Sequence, residues 1–132
     1  MKFSRAAAFM IVLSLASIAS PQPVDPARMI FFDWGKAELS GDAKSTLDRV
    51  AAEFEASGQP LITLRSHSDQ SGSAATNLRV SRIRAAAAAD YLRAKGVADD
   101  SIRIVALGES DLLIDTQDGV REIQNRRIEV IF

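Results

Sequence analysis

The chain has 132 residues, 47% of them apolar and 25% charged, with no cysteine and a formal charge of −1. That length suits one domain with a modest core, and the composition is globular rather than disordered. Without cysteine there is no disulfide framework, thiolate zinc site, cysteine nucleophile or lipid attachment through an N-terminal cysteine, and the charge balance gives no basic stripe, so nucleic acid is not an expected partner.

Lys2 and Arg5 open the chain, an uncharged and largely apolar run follows from Ala6 to Ala16, and Ser17-Ile18-Ala19 has the small-x-small pattern of a cleavage site. The run falls short of the roughly 20 apolar residues of a transmembrane helix. We expect a signal peptide over residues 1–19, export to a bacterial periplasm, and no transmembrane segment after cleavage. An uncleaved anchor is the alternative. Residues 20–28 then form a proline-containing leader and residues 29–132 the domain; with Lys2 and Arg5 removed, 14 basic residues face 17 acidic ones, a charge of −3.

Met29 to Phe32 is a short apolar run fit for a buried strand, followed by a turn at Asp33-Trp34-Gly35-Lys36. Ser40 suits a helix N-cap with Asp42 in the first turn. Ala43, Leu47, Val50, Ala51 and Phe54 recur at helical spacing until Gly58 and Pro60 end the helix. Leu61 to Ser66 reads as a second strand, with Ile62 and Leu64 alternating against Thr63 and Arg65. A long helix spans about Ala74 to Lys95 before Gly96, and its alanines at 85–89 permit close packing on a sheet. Ile102 to Leu107 gives a third strand; in a fourth, Ile128, Val130 and Phe132 alternate with Arg127, Glu129 and Ile131. Alternating strands and helices predict a two-layer α/β sandwich.

The strongest functional signal is His67-Ser68-Asp69-Gln70-Ser71-Gly72 at the end of the second strand, with Arg84 fifteen positions after Asp69. Asn77, Ser81 and Arg84 share one helical face at i, i+4 and i+7, a polar stripe on an alanine-rich helix. In one reading Arg84 pairs with Asp69 merely to pin the loop. In the other, Asp69 takes a ligand ammonium and Arg84, bidentate, takes its carboxylate, with backbone N–H groups of the helix start as further donors. The site then suits a zwitterion. Asp69→Ala is expected to abolish binding at little cost to the fold, as a loop carboxylate lies outside the core.

His67, the single histidine, has Asp69 two positions on, but no serine shows the setting of a nucleophile. Catalysis is therefore not expected, and neither metal-ligand spacing nor a cofactor motif is present. Asp115-Thr116-Gln117-Asp118-Gly119 lacks the alternating acids and closing glutamate of a calcium loop and reads as a turn. Gln124-Asn125-Arg126-Arg127 opens the last strand; its adjacent arginines point to opposite faces, one toward the carboxylates near Asp33 or Asp69 and the other toward solvent. Trp34 either covers the core edge or contacts a ligand.

These residues together resemble the OmpA C-terminal-like domain, the peptidoglycan-associating module of Gram-negative envelopes. The resemblance covers about Met29 to Phe132. It rests on Phe31-Phe32-Asp33 with Ala37-Glu38-Leu39, His67-Ser68-Asp69-x-x-Gly72, Asn77-x-x-Val80-Ser81-x-x-Arg84-Ala85, Gly108-Glu109-Ser110 and Asn125-Arg126-Arg127-Ile128-Glu129. It implies an α/β (α+β) two-layer β-α-β-α-β-β sandwich, with a mixed four-stranded sheet covered by two long helices. It also implies non-catalytic binding of peptidoglycan, through the meso-diaminopimelate of its stem peptides, at the cell wall or outer membrane. The binding pair falls on Asp69 and Arg84; Asn77, Ser68 and Gly72 shape the pocket, and Ser81, Asp33 and Arg127 are supporting candidates. Ser66 stands where the family usually has glycine before the histidine; Val80 stands for a leucine, and Ala106 and Leu112 for a glycine and a proline. The alternative is a domain of the same fold whose partners are other envelope proteins.

Overall fold

The computed structural model describes residues 23–132, so the expected signal peptide and the first residues of the leader lie outside the described residues. Strands β1 (Met29–Phe31), β2 (Ile62–His67), β3 (Ile102–Gly108) and β4 (Arg127–Ile131) form one sheet in the order β1-β4-β2-β3. Helices α1 (Gly41–Ser57) and α2 (Ala74–Ala94) are the two long helices. β4 runs antiparallel to both β1 and β2, while β2 and β3 are parallel. This is the mixed, open α+β arrangement that the resemblance implied.

The helix boundaries follow from local chemistry. The Ser40 hydroxyl accepts the Ala43 N–H at 3.1 Å to start α1, and Gly58 ends it in the left-handed region at φ 68°. Ser73 caps α2 through Thr76 N–H at 3.2 Å. One apolar cluster joins Leu47, Val50 and Phe54 of α1, Ala88, Ala89 and Leu92 of α2, and Ile30, Ile62, Leu64, Ile128 and Val130 of the sheet. Each fully buried Leu or Ile contributes about 1.5–3 kcal/mol. Ala85, Ala88 and Ala89 are wholly buried, which lets the α2 backbone lie close to the sheet.

Arg28 and Phe132 meet at one end of this sheet. The Arg28 guanidinium lies 3.9 Å from the Phe132 ring centroid and hydrogen-bonds Glu53 at 3.2 Å, and Phe132 meets Phe54 edge-on at 5.3 Å. Folded contacts thus begin before the expected boundary at residue 29, with Asp25 capping a 3-10 turn at Pro26–Arg28.

The sheet face away from the helices carries a buried ionic cluster. Glu129 accepts from Arg65 Nε (2.9 Å), from Arg127 Nε (3.2 Å) and lies 3.0 Å from His67 Nε2. Burial pushes the Glu129 carboxyl up, but the His67 hydrogen bond, the charge of Arg127 and the Arg65 contact outweigh it and leave it at about 2. Asn125 ties the long loop after β3 to the start of β4, accepting from Leu113 N–H and Ile114 N–H at 2.8 and 2.9 Å.

The last strand begins later than expected. Ile123–Asn125 form a 3-10 turn that the Glu122 side chain caps, so Gln124 and Asn125 are outside β4, and so is Arg126. Arg127 is buried rather than solvated, which corrects the expectation of one solvated arginine. Ser66, in the glycine position of the family pattern, buries a hydroxyl with no hydrogen-bond partner among the described residues.

Candidate functional site

The ends of β1 and β2, the start of α2 and the turn before β4 converge on a cavity of about 190 Å³. Its walls include Trp34 and Gly35 after β1, Ser68, Asp69, Ser71 and Gly72 after β2, Thr76, Asn77, Val80 and Arg84 of α2, and Arg126. The volume is below the roughly 300–1,000 Å³ of drug-sized sites, so it suits a small head group.

Asp69 is 3% exposed, and both of its oxygens are occupied. Oδ1 accepts from Ser71 N–H (3.1 Å) and the Ser71 hydroxyl (2.5 Å), and Oδ2 from Glu122 N–H (3.1 Å) and Arg126 Nη1 (2.9 Å). Burial pushes this carboxyl up; the bonds from Ser71, Arg126 and Glu122 outweigh it and hold it below the ordinary carboxylate range. Three of those donors are fixed, being two backbone N–H groups and a buried guanidinium. The hydroxyl alone can rotate away.

Arg84 does not pair with Asp69. Its Nε donates to Lys36 C=O (2.8 Å), its Nη2 to Asp33 C=O (3.2 Å), and its guanidinium carbon lies 5.1 Å from the Phe32 ring centroid. These neutral acceptors fix the side chain without cancelling its charge. Burial and the nearby Arg126 charge pull Arg84 down to about 10, with Asp69 offsetting part of this. Among the described residues its Nη1 makes no hydrogen bond and it is not enclosed. The cavity thus holds two guanidiniums and one carboxylate, an arrangement for a ligand carboxylate with an ammonium beside it.

The expected site residues divide. Asp69, Arg84, Asn77, Ser68 and Gly72 line this one cavity. Gly72 has φ +94°, and Asn77 Nδ2 lies 3.4 Å from Glu109 Oε2 and 3.5 Å from Gly72 C=O. Three expectations need correction. Asp33 serves through its carbonyl on Arg84, while the residue lines a neighbouring groove. Ser81 faces β3, where its hydroxyl accepts Gly108 N–H (3.1 Å) and donates to Leu78 C=O. Arg127 belongs to the Glu129 cluster on the other face of the sheet.

The sequence pointed one of Arg126 and Arg127 toward Asp69 but named Arg127 as the candidate, where the partner of Asp69 is Arg126; Thr76 and Val80 were not named as site residues. The last two stand at i and i+4 with Arg84 at i+8, and helical side chains lean toward the N-terminus. The face of α2 that forms the wall is therefore Thr76, Asn77, Val80 and Arg84, with Ser81 turned away from it.

The pattern of the OmpA family matches residues 31–126. The chain belongs to the OmpA family. It is 35% identical over 98 residues to a peptidoglycan-associated lipoprotein of Mesorhizobium japonicum, covering 74% of this chain and 58% of that one. To the peptidoglycan-binding protein ArfA of Mycobacterium tuberculosis it is 35% identical over 85 residues, 64% of this chain and 26% of that one. The chain thus spans less than two thirds of these relatives. The crystal structure of the peptidoglycan-associated lipoprotein from Burkholderia pseudomallei superposes with TM-score 0.72 at 25% identity, covering 79% of this chain and 88% of that one. The domain is a non-catalytic member of this family. Among the described residues no helix is long and apolar enough to cross a membrane, and no group of three or more His, Asp or Glu is placed to hold a metal ion.

Proposed function

We propose that this OmpA-family domain binds peptidoglycan in the periplasm without catalysis, attaching to the cell wall through the meso-diaminopimelate of stem peptides. Relatives named for peptidoglycan association or binding support the polymer. One observation carries the finer reading: the buried, uncancelled Arg84 guanidinium has Nη1 free in a cavity that Asp69 also lines. The free end of diaminopimelate sets its carboxylate on Arg84. Its ammonium approaches Asp69 Oδ1, displacing the rotatable Ser71 hydroxyl.

Each charge-assisted contact is worth about 1.5–3 kcal/mol, and ordering costs offset part of the sum. Affinity for one diaminopimelate is therefore about millimolar to micromolar. Repetition along an insoluble polymer converts that into firm attachment.

Sedimentation with purified insoluble peptidoglycan tests this, with free diaminopimelate or Nα-acetyl-lysine amide as competitor. Diaminopimelate at about millimolar concentration releases the protein and the lysine derivative, whose free end is an ammonium with no carboxylate beside it, does not. A protein that stays in the supernatant, or is released equally by the lysine derivative, refutes the reading. A supernatant result favours the rival function, recognition of envelope proteins. A groove of about 600 Å³ beside the sheet edge at β1, lined by Phe31, Leu39 and Ile123, gives that rival a surface.

A further inference from the structure

Trp34 is about half exposed, yet both its ring face and its N–H are engaged by other segments. Its indole N–H donates to the Ser71 hydroxyl at 2.9 Å, and that hydroxyl in turn donates to Asp69 Oδ1. The Arg121 guanidinium carbon stacks 3.4 Å from the ring centroid. An aromatic ring that merely sealed the core would lie among apolar side chains; this one lines the charged cavity, with Val80 and Thr76 also among its walls.

From this arrangement we infer that Trp34 is a specificity-determining residue of the pocket, its indole forming the apolar wall for the ligand's methylene stem. The inference rests on the proposed diaminopimelate reading and adds a requirement to it. The charged groups alone accept any small zwitterion; the wall favours one that continues as a hydrocarbon chain, since stem and ring leave water together. In the empty pocket the Trp34–Ser71–Asp69 chain joins the loop after β1 to the loop after β2, and its Ser71–Asp69 link opens as the ligand ammonium enters.

Trp34 is the single tryptophan of the chain, so emission excited at its own band reports on this wall alone. Titration of the purified protein with meso-diaminopimelate should change that emission saturably, with the midpoint found by calorimetry. Trp34→Ala should weaken binding about tenfold, equivalent to about 1.4 kcal/mol, with Trp34→Phe in between because the ring remains. Ser71→Ala removes the hydroxyl that the ammonium displaces but keeps the ring, and should cost less than Trp34→Ala. Calorimetric binding with unchanged emission, a Trp34→Ala affinity within twofold of wild type, or a Ser71→Ala loss as large as that of Trp34→Ala overturns the wall while leaving the proposed function standing. Absence of any calorimetric binding by diaminopimelate removes both.

Discussion

Asp69→Ala should unfold this domain more readily as well as empty its pocket, contrary to the expectation that a loop carboxylate is dispensable to the fold. The carboxylate accepts four hydrogen bonds, from Ser71 twice, Glu122 and Arg126. Its removal orphans the Arg126 Nη1, whose side chain is only 10% exposed. Breaking one partner out of a buried ion pair costs roughly 3–5 kcal/mol. Arg126 keeps its 2.9 Å bond to Phe32 C=O, which favours the lower end, about 3 kcal/mol. At about 4 °C per kcal/mol for a domain of this size, the thermal midpoint falls by about 12 °C. Calorimetric melts at neutral pH without ligand supply the measurement, and an Asp69→Ala, Arg126→Met double-mutant cycle isolates the pair. A midpoint within about 2 °C of wild type would mean the four bonds do not hold the loop. It would also restore Asp69→Ala as a clean probe of binding.

Three other outcomes follow from particular contacts. The folded value of Glu129, about 2, lies below its ordinary 4.5, so its stabilisation is complete above about pH 4.5 and is lost as pH falls toward 2. Chemical denaturation from pH 6 to 3 should show that decline, and Glu129→Gln should flatten it; equal slopes in both proteins would refute the assignment. Ser66→Ala deletes a buried hydroxyl that lacks a partner and should raise the melting temperature by about 4 °C, corresponding to about 1 kcal/mol. Any loss of stability would reveal a bond to that hydroxyl. Gly108 has φ +57°, and an added Cβ would stand 3.0 Å from Leu78 N and Cα in α2. Gly108→Ala should therefore cost about 2 kcal/mol or more in denaturant titrations, and a neutral result would show that the helix yields freely.

The limits of α1 were legible because Ser40 and Gly58 act within a few residues of themselves, whereas the Ser73 cap of α2 emerged only from the structure. The pairing of β1 with β4 was not. It joins Met29 to Glu129 across most of the chain, and periodicity says nothing about which strands meet. The resemblance implied a mixed four-stranded sheet without its strand order. Asp69 and Arg84 stood out as charges at an apolar strand end and on an alanine-rich helix. The choice between Arg126 and Arg127 depended on where β4 begins, because one residue of shift exchanges the faces of a strand. The 3-10 turn at Ile123–Asn125 decides it, held by Asn125 contacts to Leu113 and Ile114 that carry no sequence period. Ser81 was assigned to the pocket because a polar stripe does not reveal which helix flank meets a neighbouring strand.

The meeting of Arg28 with Phe132 gives the domain a polarity. β4 runs from Arg127, which follows the cavity residue Arg126, to Ile131, next to Phe132, and β1 enters at Met29 and leaves toward Trp34. Arg28 and Phe132 therefore sit at the pole opposite the pocket. A leash fastened to either one would carry the domain by its back, leaving the charged recess facing outward toward whatever lies ahead of it.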